Sequence, residues 1–220
     1  LEDNKYVINW DALGDAVRLG VRFLDNVIDL NPYPMPQIME FAHKIRRIGL
    51  GVMGWADMLT YLGISYASNE ACEFADKMQN FINEIGHNES ENLAKIRGPF
   101  PLWEKSIYKN GAPIRNCTVT TIAPTGELSI LGGCSAGIEP NYGLTRIHRY
   151  EDRVLHIFSP SLERFLELAK ERGFYSQVLE EEVKNRGEIG NMNGIPDDVR
   201  KIFMTAHEIS PEWHVKMQAA

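Results

Sequence analysis

Apolar residues recur at helical spacing soon after the start of the chain. Leu13, Ala16, Val17, Gly20, Phe23, Leu24, Val27 and Ile28 fall on one face, which predicts an amphipathic helix capped by Asn9 or Asp11 and running to about Ile28. Asn31-Pro-Tyr-Pro-Met-Pro36 breaks that pattern, and a short helix is expected from Pro36 to about Lys44. Trp55 to Leu62 reads as the next helix. Ser68 caps a long one with Cys72, Phe74, Ala75, Met78, Phe81, Ile82 and Ile85 in its stripe, ended by Gly98-Pro-Phe-Pro101. Further helices are predicted from Pro160 to Gly173, from Ser176 to Gly187, from Pro196 through Val199, Ile202 and Phe203, and from Ser210-Pro211 onward with Trp213, Val215 and Met217.

Strand signals are fewer. Arg47 to Met53 is a Gly-rich strand or loop, and Val119 to Ile122 is a β-branched run that reads as a buried strand stopped by Pro124. Residues 141–153 mix aromatic and basic side chains, as loop and strand, and 101–113 looks irregular. There is no internal repeat, low-complexity tract or clear linker. The alternation suits an α/β architecture with strands inside and helices outside, helix-rich and with too few strands to close a barrel unaided.

Bulk properties narrow the function classes. A net charge of −7 argues against a DNA- or RNA-binding surface, which needs clustered Lys and Arg, although it leaves room for a local nucleotide site. No run reaches the ~18 apolar residues of a membrane span, and no signal-peptide pattern opens the sequence, so no membrane association is expected. Three widely spaced cysteines, Cys72, Cys117 and Cys134, point to a reducing compartment, the cytoplasm, without a disulfide framework.

The candidate chemistry centres on the turn after the β-branched run. Thr125 is placed to cap a short helix through Leu128, Ile130 and Leu131, and Gly126 permits a close turn. Exposed N–H groups at such a start, beside the hydroxyls of Thr125 and Ser129, make an anion site. An ordinary strand-to-helix turn is the alternative.

Gly49-Leu-Gly51-Val-Met-Gly54 matches the dinucleotide fingerprint, with Glu70 downstream as an acidic residue. It lacks a convincing preceding strand and a second βαβ unit, so it reads as packing. His43, His87, His148, His156, His207 and His214 form no H-x-x-x-H pair and there is no C-x-x-C, so no metal site is expected. Cys117 and Cys134 flank the turn but read as small packed residues. Glu139 is either a structural carboxylate or one near a substrate.

Arg115-Asn-Cys-Thr118, then Ala123-Pro-Thr-Gly-Glu-Leu-Ser129, then Gly133-Cys-Ser-Ala-Gly-Ile-Glu-Pro140 resembles the catalytic subunit of ribonucleotide reductase, most closely the adenosylcobalamin-dependent class. Arg46-Arg-Ile-Gly-Leu-Gly-Val-Met-Gly54 and Ala206-His-Glu-Ile-Ser-Pro-Glu-Trp-His214 are similar to strings of the same family. The latter is expected to form a buried connection between helices.

The resemblance implies a partial barrel over 1–220, the second half of a ten-stranded α/β barrel, with parent sequence continuing at both ends. It implies that Pro124, Thr125, Gly126, Glu127, Leu128 and Ser129 hold the substrate phosphates, with only the backbone of Glu127 turned to them and its carboxylate to solvent. The family's radical cysteine, in an Asn-x-Cys-x-Glu loop, and its redox cysteine pair are expected upstream of Leu1, so this chain carries no catalytic residue. The implied cofactor is adenosylcobalamin. The implied partners are a ribonucleotide, the rest of the reductase chain, an external dithiol such as thioredoxin, and a second copy in a homodimer. A class I large subunit, served by a separate diiron protein, and a stand-alone nucleotide-binding module without radical chemistry remain the alternatives.

Overall fold

A computed structural model of the chain describes residues 6–150 and 153–220. In chain order the helices are α1 (Trp10–Leu30), α2 (Pro36–Ile45), α3 (Trp55–Leu62), α4 (Asn69–Arg97) and α5 (Gly126–Gly132). A hairpin of β1 (Thr145–Tyr150) and β2 (Arg153–Phe158) follows. The remaining helices are α6 (Pro160–Glu171), α7 (Gln177–Arg186), α8 (Asp197–Ile202) and α9 (Pro211–Ala219). A single 3-10 turn, Trp103–Lys105, lies inside the segment expected to be irregular. The chain divides into two compact units, one formed by Ile8–Gly51 and Lys77–Ile122, the other by Val52–Asp76 and Ala123–Ala220 with Tyr6 and Val7.

In the unit of Ile8–Gly51 and Lys77–Ile122, α1 begins where expected. The Asn9 side chain accepts from the Ala12 N–H at 3.0 Å, satisfying one of the donors a helix start leaves open. The buried stripe is Gly14, Val17, Val21, Asp25 and Ile28. It differs from the expected face, since Phe23 and Val27 are exposed and a carboxylate sits inside. Val21, Ile28, Ile48, Leu93 and Val119 form one core cluster, and Phe100, Trp103 and Ile114 another, with Cys117 packed against the second.

The β-branched run makes less strand than its composition predicts. The Ile48 N–H donates to Thr118 O, the Leu50 N–H to Val119 O and the Thr121 N–H to Leu50 O, giving one isolated parallel bridge, Leu50 with Thr120. Val119 is buried but Ile122 is half exposed. A Cβ on Gly49 would lie 2.7 Å from Thr121 Cγ2, and one on Gly51 would lie 2.8 Å from Thr121 O. The first two glycines of the fingerprint therefore permit close approach of two extended segments, a packing role.

The other unit is built on β1, β2 and α6 to α8. The strands pair antiparallel from Thr145 with Phe158 to Tyr150 with Arg153. Only the first strand lies in the stretch where the sequence signalled one. Leu144, Leu162, Phe165, Val183, Ile189, Val199 and Phe203 fill the core, Phe165 meeting Phe203 edge-on at 5.4 Å. Ser159 and Ser176 cap α6 and α7 through the Leu162 and Leu179 N–H groups, and Gly187 ends α7 in the left-handed conformation. The connection from α8 to α9 buries Thr205 and Ile209. His207 is exposed, against the expectation of a buried link, and stacks edge-on with Tyr142 at 4.9 Å.

Candidate functional site

The site lies in the unit of Val52–Asp76 and Ala123–Ala220, at the start of α5. Thr125 occupies the N-cap position but differs from the expected cap. Its φ of 49° is left-handed, and its side chain makes no capping bond to the helix. Thr125 Oγ1 instead accepts from the Gly137 N–H at 2.7 Å, twelve residues on. A β-branched residue in this region carries strain of about 1–3 kcal/mol and persists where its surroundings dictate it.

The surroundings are specific. Gly137, itself at φ 46°, passes so close that a Cβ there would sit 2.8 Å from Ala123 O. The Cys134 N–H donates to Ser129 O at 3.0 Å, folding the end of α5 back on itself. The loop closes a ring from Thr125 through α5 to Gly137.

The six residues named from sequence diverge in what they offer. Gly126, Glu127 and Leu128 are exposed, and their amides open a helix in which no carbonyl lies in position to accept from them. Pro124 is exposed and Thr125 half-buried. Ser129 is fully buried and donates its hydroxyl to Gly126 O at 2.7 Å, so its side chain braces the turn. What the turn offers an anion is the N–H groups of Gly126 to Leu128 and the hydroxyl hydrogen of Thr125.

Cys134 borders this ring. Burial pushes its thiol up, nearby Asp57 adds to that, and Arg146 opposes it, so the sulfur stays protonated. Burial likewise raises Cys72. Glu139 is exposed, with its N–H donating to Ala136 O at 3.0 Å. Burial also holds the Tyr66 hydroxyl well above its usual range, and that hydroxyl donates to Ile138 O at 2.8 Å.

The buried carboxylates Asp25, Asp57 and Glu89 escaped the sequence reading, and two of them gather many donors. Asp57, in the first turn of α3, accepts from the Ser135 N–H at 2.6 Å and from Ser161 Oγ at 2.6 Å. Asp25 accepts from Arg46, Arg97, Arg115 and Asn116. The signals available were an acid inside an apolar helix stripe and an acid one residue past the glycine fingerprint's Trp-Ala.

The ribonucleotide reductase barrel-domain model matches residues 2–114 and 111–220. A vitamin B12-dependent ribonucleoside-diphosphate reductase of Thermoplasma acidophilum is 46% identical over 98% of this chain, and one of Mycobacterium tuberculosis is 42% identical over 97%. The chain spans only 28% and 30% of those proteins' lengths. The class Id ribonucleotide reductase alpha subunit of Actinobacillus ureae superposes with a TM-score of 0.73 at 27% identity, over 93% of this chain and 38% of that one. The expected α/β barrel membership thus holds, and the chain belongs to the ribonucleotide reductase barrel-domain family.

Proposed function

We propose that this chain is one segment of a vitamin B12-dependent ribonucleoside-diphosphate reductase, and that residues 124–129 hold the substrate diphosphate. The observation that carries the site is the left-handed Thr125, which opens α5 with Gly126, Glu127 and Leu128 exposed and Ser129 buried and bonded back to Gly126. The class assignment rests on the higher identity to B12-dependent enzymes, 46% and 42%, than to a Chlamydia muridarum ribonucleoside-diphosphate reductase subunit alpha at 33%. It also rests on the Pro-Thr-Gly and Gly-Cys-Ser-Ala-Gly wording of the turn.

In the parent enzyme a cysteine thiyl radical takes the 3′-hydrogen, the 2′-hydroxyl leaves as water and a cysteine pair is oxidised to its disulfide. A dithiol such as thioredoxin then reduces that pair. Adenosylcobalamin, when bound, supplies the radical that ordinary side chains cannot. Among the described residues no group of three or more His, Cys, Asp or Glu side chains converges to ligate a metal. The contribution assigned to this segment is to the substrate. Donors fixed on the two phosphates place the ribose against the radical cysteine, and such positioning contributes several kcal/mol to lowering a barrier. The whole 1–220 segment serves as part of the barrel of a cytoplasmic enzyme that works as a homodimer. No helix among the described residues is long and apolar enough to cross a membrane.

Gly126→Asp tests the site. A Cβ at Gly126 meets nothing within 4 Å, and an acid in the first helical turn suits the helix dipole, so the fold tolerates the change. The new carboxylate adds negative charge beside the proposed diphosphate. In the full-length enzyme the KM for a ribonucleoside diphosphate rises tenfold or more; an unchanged KM removes the site.

A further inference from the structure

Resting on that reading of the turn, we infer that Asp57 is a positioning residue for diphosphate binding. It touches no substrate; it fixes the loop that imposes the left-handed conformation on Thr125. Asp57 is 5% exposed, and none of the described ion pairs includes it. Its Oδ2 accepts from the Ser135 N–H at 2.6 Å. Its Oδ1 accepts from Ser161 Oγ at 2.6 Å, from the Ser161 N–H at 3.3 Å and from Asn141 Nδ2 at 3.3 Å. Four donors from three places in the chain thus converge on one carboxylate of α3.

Ser135 is the link to the turn. Its carbonyl accepts from the Gly54 N–H at 2.7 Å, so the start of α3 grips both sides of this one residue. Cys134, immediately before it, is bonded to Ser129 O in α5, and Gly137, two residues after it, donates to Thr125 Oγ1. The strained Thr125 is therefore held by a closed loop whose fixed point is Ser135, and Ser135 is fixed by Asp57. Bonds to an ionised acceptor are roughly twice as strong as neutral ones. A carboxylate in this place accepts from every direction, which no neutral side chain of its size does.

Asp57→Asn keeps shape and volume but turns one acceptor into a donor, so either Ser135 or Ser161 loses its partner. The measurement is KM and kcat of the full-length enzyme for a ribonucleoside diphosphate, beside Gly126→Asp. For Asp57→Asn a KM about tenfold higher, with kcat at saturation kept within about threefold, is expected. A merely structural role lowers the amount of active enzyme, hence the apparent kcat, and leaves KM where it was; that result overturns the inference. If Gly126→Asp raises KM and Asp57→Asn does not, the diphosphate turn stands and the positioning role falls. If neither raises it, the reading of the turn itself falls, and this inference with it. Should Asp57→Asn not fold, Ser161→Ala removes one bond to Oδ1 while leaving the Ser135 bond. A two- to threefold rise in KM then supports the role, and an unchanged KM overturns it.

Discussion

Asp25 and Asp57 are both buried carboxylates, yet the first is ringed by guanidinium groups and the second by hydroxyl, amide and backbone donors. Asp25, fully buried on α1, accepts from Arg46 Nε at 2.9 Å, Arg97 at 3.0 Å, Arg115 at 3.4 Å and Asn116 at 3.0 Å. Arg46 ends α2 in the left-handed conformation and adds a two-pronged bond to Asp29. Burial alone would make Arg46 easier to deprotonate, but its bonds to Asp29 and Asp25 outweigh that and keep it charged. This is a hub that ties α1, the end of α2, the end of α4 and the segment at Asn116 by charge. Asp57 has no such ion pair and instead accepts from particular N–H and O–H groups, three at Oδ1 and one at Oδ2. Charge fixes which segments meet, and directional bonds fix how one loop is shaped.

Removing each carboxylate separates these roles. Asp25→Ala leaves Arg46, 4% exposed, with Asp29 as its remaining carboxylate partner and takes an acceptor from Arg97, Arg115 and Asn116; breaking a buried pair costs about 3–5 kcal/mol of stability. Urea unfolding of the variant beside the native protein is expected to show that loss. The contrast with Asp57 breaks if Asp57→Asn destabilises as much or more, because Asp57 would then be a stability hub too.

Gly137→Ala is the next largest effect and probes the directional side. A φ of 46° already disfavours any side chain, and the new Cβ would stand 2.8 Å from the Ala123 carbonyl. The loss of stability is about 1–3 kcal/mol, smaller than for Asp25→Ala. The variant also raises the KM for a ribonucleoside diphosphate, because the donor to Thr125 moves. A shift in melting temperature without a change in KM would detach the Gly137 contact from the site.

Much of this was legible in the residues. Asn9, Ser68, Ser159 and Ser176 each signal a helix start, and each side chain accepts from a backbone N–H of its helix's first turn. The strings around Thr125 and Gly137 disclosed the family before any coordinate did. What stayed hidden were interactions of long range. Asp25 sits among Val17, Val21 and Ile28, and a helical pattern assigns an acid to solvent unless its partners are known; they lie 21 to 91 residues away. The hydroxyl of Thr125 looked like a local cap because its true partner, Gly137, belongs to the returning loop. Val119 to Ile122 looked like a strand because β-branched composition reports burial, and only Val119 at its head is deeply buried.

The smallest expected effect concerns the outer half of the charged hub. The bond to Arg46 holds the Asp29 carboxyl below its ordinary value of 3.8, burial working against it. A depressed folded-state value means the pair contributes stability above the unfolded value and loses it as pH falls through the folded one. The contribution is therefore intact well above pH 3.8 and is lost as pH falls below it. Asp29 is half exposed, so solvent screens the pair and the increment is modest. Melting temperatures of native and Asp29→Asn proteins followed from pH 6 to 2 are expected to converge at the acid end, the native protein falling further. Parallel curves would mean that Asp29 adds nothing to the grip of Arg46. The hub would then consist of Asp25 and its buried donors alone, and the charged region would be as economical in its contacts as the loop around Asp57.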